Sequence, residues 1–185
     1  MVERADPDAA ELWRATVRRL TWAAVIAHSL GGFVLFLLLG FLTPFAPAGP
    51  DKQLALNAIV AVVYLPLSLT MGRLWSKRRG APVERWLSER RPPTATERQI
   101  VLGQPSSFVV VSGVFWLIAA VLFTLLNVSG SDWGALVVGG GLVLSGETSC
   151  ALGYLMCERI MRPITVLALA GGPPRGAPAR AWPDG

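Results

Sequence analysis

The chain has a single histidine in 185 residues. That excludes an HExxH zinc motif and any site built from several histidines. It has two cysteines, Cys150 and Cys157, and no CxxC pair. On a helix, seven residues hold two such thiols about 10 Å apart. A disulfide needs Cα atoms within about 7 Å. They read as reduced packing residues and do not report on redox compartment. No P-loop is present, because Gly139-Gly140-Gly141 sits in an apolar run with no lysine after it. Charged residues are scarce, at 16%. No self-contained active site is visible, and neither a cofactor nor a metal is expected.

Apolar residues fill the space. They make up 52% of the chain, with a mean hydropathy of +0.49. A helix crossing about 30 Å of hydrocarbon needs roughly 20 apolar residues. The runs 20–42, 54–74, 108–128 and 134–157 qualify. The fold class read from them is an all-α, integral membrane four-helix bundle. Trp22, Trp75 and Trp133 fall near the span ends, where aromatic belts form. Ala46-Pro47-Ala48 looks like a cleavage site, but the apolar run before it is too long for a signal peptide.

Of the 17 Lys and Arg residues, all but Lys52 fall on one side of this four-span reading. Cytoplasmic loops carry the excess of bases, so both termini and the middle loop are expected in the cytoplasm. The net charge of +5 does not imply nucleic acid, because the bases gather at span ends and suit a bilayer with anionic headgroups. The chain divides into a cytoplasmic segment 1–19, a membrane domain 20–157 and a Pro/Gly-rich cytoplasmic tail 158–185. The two external loops are too short for a folded sensor domain.

The middle loop, 75–107, holds Lys77, Arg78, Arg79, Arg85, Arg90 and Arg91 as a membrane-surface basic set. Gly80 reads as a stop for the second helix, and Pro82 suits the first turn of another. Val83, Trp86, Leu87 and Arg90 form a stripe suited to an interfacial helix. Pro92-Pro93 breaks it. Thr94-Ala95-Thr96-Glu97 matches a capping box for a further short helix.

Within the spans, Glu147 stands near the middle of the fourth run. A carboxylate there costs roughly 2.5–3.5 kcal/mol, so it should face protein, be neutral or be paired. His28 lies at a similar depth on the first run, and the two are expected to approach each other. The functional reading is a proton or ligand sensor; the plainer one is a neutral Glu hydrogen-bonded to Ser or Thr. Gly139, Gly146 and Gly153 recur every seven residues, with Ser149 on the same side. Such a small-residue face lets helices approach closely. It serves packing within the bundle or a homodimer interface.

Two stretches carry a family resemblance. One runs Arg91-Pro92-Pro93-Thr94-Ala95-Thr96-Glu97-Arg98-Gln99-Ile100-Val101-Leu102-Gly103-Gln104-Pro105 into a span containing Trp116. The other runs Thr148-Ser149-Cys150-Ala151-Leu152-Gly153-Tyr154-Leu155-Met156-Cys157-Glu158-Arg159-Ile160-Met161-Arg162-Pro163, then Ala168-Leu169 and Gly172-Pro173-Pro174. Together they resemble the membrane domain of bacterial class III adenylate cyclases with six spans and a HAMP linker. The resemblance covers residues 20–175. It implies a membrane-anchoring, signal-input domain for cyclic AMP synthesis. Members of that family continue with a fifth and sixth span, the linker and the cyclase domain. Here the sequence stops where the fifth span is expected, which by that resemblance implies a truncated gene product or an excised N-terminal part. No catalytic or metal-binding residue is carried over. The alternatives are a stand-alone four-span protein, such as a small transporter or assembly partner, and the sensor part of a histidine kinase.

Overall fold

The computed structural model describes residues 9–42, 51–128 and 132–170. Its regular structure is helical throughout: α1 (Ala9–Leu42), α2 (Asp51–Glu89), α3 (Ala95–Leu102), α4 (Gln104–Val128) and α5 (Asp132–Leu169). Four of these, α1, α2, α4 and α5, are long and apolar enough to cross a membrane. The all-helical class is as the sequence indicates. Residues 43–50 and 129–131, which hold most of the two external loops, and the tail from Gly171 lie outside the described residues.

The helix α5 is the hub, packed along most of its length against α4 and α1. Its small residues make this possible. A Cβ added at Gly139 would strike Thr124, at Gly146 would come 2.7 Å from Trp116 Cβ, and at Gly153 would strike Phe108. Glycines every seven residues on one helix therefore meet side chains every eight residues on its antiparallel neighbour. The α1 contact uses serines: Ser145 and Ser149 are fully buried, and Ser149 Oγ donates to Ala27 O at 3.1 Å. A Cβ at Gly31 of α1 would collide with Ser149 Oγ. Between apolar helices, close backbone approach of this kind supplies the dispersion contacts that hold a bundle in lipid.

The helix α2 is bound differently. None of its most apolar 18-residue stretch is buried, and Ile59, Val62, Val63 and Leu69 are each more than 60% exposed. Polar ties fasten it to α4. Asn57 and Asn127 exchange two hydrogen bonds of 3.0 Å each, and Tyr64 Oη donates to Phe115 O at 2.5 Å.

At the basic end the helices run past their apolar stretches and close a second core. Trp13 of α1, Val83, Trp86 and Leu87 of α2, Val101 of α3, and Cys157, Met161, Ile164 and Ala168 of α5 form one buried cluster.

This core corrects two expectations. Gly80 does not stop the second helix and Pro82 does not begin another, because α2 runs unbroken from Asp51 to Glu89. Gly80 instead makes room for an indole: a Cβ there would lie 3.1 Å from Trp13 Cζ2. The loss of a backbone hydrogen bond at Pro82 is offset by the packing of the three apolar residues that follow. The stripe of Val83, Trp86 and Leu87 is not a membrane-surface face, since all three are at most 4% exposed inside the protein. The middle loop 75–107 is largely helical, with only residues 90–94 and Gly103 separating its helices. Helix also extends into both flanking segments, since α1 begins at Ala9 and α5 continues through Pro163 to Leu169.

Candidate functional site

The sharpest polar constellation lies where α2 turns into α3. Glu89 ends α2, and Arg90 adopts φ 51°, a left-handed conformation that non-glycine residues seldom take. The turn is fixed from several sides. Trp86 Nε1 donates to Arg91 O at 2.7 Å. The Arg91 guanidinium forks onto Glu97, with Nη2 to Oε1 at 2.6 Å and Nη1 to Oε2 at 2.9 Å. Its Nε reaches Glu89 Oε2 at 2.7 Å. The expected capping box is present: Thr94 N donates to Glu97 Oε2 at 2.8 Å, and Glu97 N donates to Thr94 Oγ1 at 3.3 Å. One carboxylate thus serves as helix cap and ion-pair partner. Bidentate charge-assisted bonds are the strong kind. The Arg91 guanidinium, aided by the Thr94 amide and hydroxyl, holds the Glu97 carboxyl down at about 2.

Arg91, one of the basic set, has its donors engaged by Glu89 and Glu97. The rest of the basic set divides. Lys77, Arg78, Arg85 and Arg90 are exposed. Arg79 is half-buried, with a guanidinium nitrogen 3.4 Å from where a Cβ at Gly103 would be. Its Nε has no hydrogen-bond partner among the described residues.

The other candidates lie in the apolar stretches. His28 is half-buried between α1 and α4. Its Nδ1 donates to Ala24 O at 2.8 Å, and its ring stacks on Trp116 at 6.3 Å and meets Phe108 edge-on at 6.0 Å. Glu147 does not join it. Its side chain is exposed and makes no hydrogen bond or ion pair among the described residues. The reason is angular. Ser145 and Ser149 bury the face of α5 toward α1, and Glu147 lies two residues from each, about 200° around the helix. The expected approach of Glu147 and His28 is thus overturned. Gly139, Gly146 and Gly153 are covered by α4, and Ser149 by α1, so this face packs inside one chain.

A few polar contacts escaped the sequence reading. Asn57 and Asn127 both sit near the ends of apolar runs away from the bases, and that shared position was the available signal. Ser145 Oγ and Trp116 Nε1 are buried with no hydrogen-bond partner among the described residues. The described residues contain no group of three or more His, Cys, Asp or Glu side chains able to hold a metal ion.

Comparison of the chain with protein-family models, curated proteins and solved structures returns no match.

Proposed function

We propose that the chain is a membrane-anchoring and signal-input module for a cytoplasmic enzyme. Helices α1, α2, α4 and α5 cross the cell membrane, both termini face the cytoplasm, and the second core sits just beneath the bilayer. The single observation carrying this reading is that core. The basic ends of all the long helices but α4 extend beyond their apolar stretches and lock together with α3 around Ile164. A shift of one span against another must strain this cluster and reach the end of α5 at Leu169. A closely packed element with two arrangements is the physical means by which such a shift becomes a signal.

Two further features support the reading. Large apolar side chains stand exposed along α1, α2, α4 and α5, far beyond the few hundred Å² that a water-soluble surface tolerates. Among the described residues the bases other than Lys52 gather at one end, with Arg14, Arg18, Arg19, Arg159 and Arg162 exposed there beside those of α2. The resemblance noted above makes an adenylate cyclase the enzyme we propose, with cyclic AMP as its output.

The test begins with the intact mass of the native polypeptide in its own membrane. A mass several tens of kilodaltons above 19.8 kDa, together with cyclic AMP formation from ATP, is the expected result. Ile164→Ala in that polypeptide should then change cyclase activity without removing the protein from the membrane. A native polypeptide of 19.8 kDa that copurifies with no nucleotide cyclase would overturn the reading.

A further inference from the structure

We propose that the outer face of α5 is an interface between two copies of this chain, with Glu147 meeting the second copy's Glu147. The inference rests on the membrane-spanning placement just proposed. It does not depend on any enzyme being attached.

Gly140, Leu144, Glu147, Ala151, Tyr154 and Glu158 are all exposed and lie at alternating intervals of four and three residues. That is the spacing of a seam along which two helices pair with a left-handed crossing. The seam lies opposite the face that holds α1 and α4, so forming it displaces nothing. The seven-residue glycine repeat, read as serving either bundle packing or a homodimer interface, is already filled by α4, and a pair of copies needs another surface.

Glu147 says what the occupant must offer. An ionisable side chain deep in the hydrocarbon is costly and marks a contact, yet this one has no partner among the described residues. Two copies in one membrane share orientation. A two-fold axis along the membrane normal then places equal residue numbers at equal depth. Glu147 of a second copy therefore lies level with this one, so the second copy brings a polar group to that depth by construction, whereas any other partner would have to supply one.

The flanks of Glu147 suit close approach. A Cβ at Gly140 would meet nothing within 4 Å, and Ala151 is small and exposed. Toward the basic end, Glu158 is on the seam and Arg162 stands one turn on, both exposed and without an ion pair among the described residues. Side by side in parallel, Glu158 of each copy comes within reach of the second copy's Arg162, as flanking charges do in paired helices.

The test uses the full chain in lipid bilayers with Cys150 and Cys157 replaced by alanine. Single cysteines are introduced as Leu144→Cys and Ala151→Cys on the seam, and as Val62→Cys on the exposed face of α2. Oxidation should convert most of the seam variants to a covalent dimer of twice the chain mass, with at least five-fold less from Val62→Cys. Adding Gly140→Ile, whose side chain enters open space in the single chain, or Glu147→Leu should lower the yield several-fold. Equal yields on the two helices, no dimer, or an adduct with a protein of different mass would overturn the proposal. A water-soluble maleimide separates this failure from that of the underlying placement. If Ala151→Cys resists it while no dimer forms, only the interface is wrong. If Ala151→Cys reacts readily, α5 does not span the bilayer and the interface falls with it.

Discussion

Glu97 carries more local structure than any other charged residue described. It caps α3, holds the Arg91 fork and thereby fixes the turn that follows Trp86. Because its carboxyl is held at about 2 against an ordinary 4.5, the folded turn favours the ionised form. The stability this gives is fully present above pH 4.5 and is lost as pH falls toward 2. Trp86 fluorescence should therefore shift toward that of a solvated indole over this window, and Glu97→Gln should show the shifted signal already at neutral pH. A Trp86 signal unchanged across the window in the parent chain would contradict the clasp. Arg91→Lys should also weaken the turn, since an ammonium cannot reproduce the planar fork. Deeper in the same cluster, Ile164 is fully buried. Ile164→Ala should cost about 2–5 kcal/mol, the usual range for a large-to-small change in a close-packed core. Equilibrium unfolding in detergent, followed by tryptophan fluorescence, would measure it.

At the scale of elements, the glycines of α5 separate into two kinds. Gly146 faces Trp116, whereas a Cβ at Gly140 meets nothing within 4 Å. Gly146→Leu should thus destabilise the α4–α5 pair by about 1–3 kcal/mol through overpacking, while Gly140→Leu should leave the single chain as stable as before. Unfolding of both variants in mild detergent, under dilute monomeric conditions, gives the comparison. The tie between α2 and α4 is polar, so Asn127→Ala should loosen α2 alone. Interhelical hydrogen bonds in membranes are worth about 0.6–2 kcal/mol, and faster hydrogen exchange confined to α2 should reveal the loss. The elements also show which signals the sequence carried. Run length and the absence of charge marked out the four long helices, because those requirements come from the solvent and act on each segment alone. The capping box was legible for the same reason: its bonds are local. Gly80 and Pro82 misled because tertiary packing on Trp13 overrode local propensity. The direction of Glu147 was missed because facing depends on which small residues a neighbour occupies. Ser145 and Gly146 showed that only once α1 and α4 were in place.

Considered as a whole, the molecule has two ends of opposite character. One end holds the Asn57–Asn127 pair and Trp133. The other holds the bases and a core shared by four of the five helices. The apolar stretches between them expose large side chains to whatever surrounds the bundle. All of this is consistent with a bilayer around α1, α2, α4 and α5 and with the basic end in the cytoplasm. The positions of the second core, of Glu147 and of any attached enzyme all follow from that orientation. The most direct measurement is maleimide accessibility of single cysteines in intact cells and in cells opened on the cytoplasmic side. Asp132→Cys, at the start of α5, and Ser88→Cys, near the end of α2, are both exposed positions, each tested with Cys150 and Cys157 replaced. An impermeant maleimide should label Asp132→Cys in intact cells and Ser88→Cys only once the cytoplasmic side is opened. Labelling of both sites from the same side would contradict that orientation.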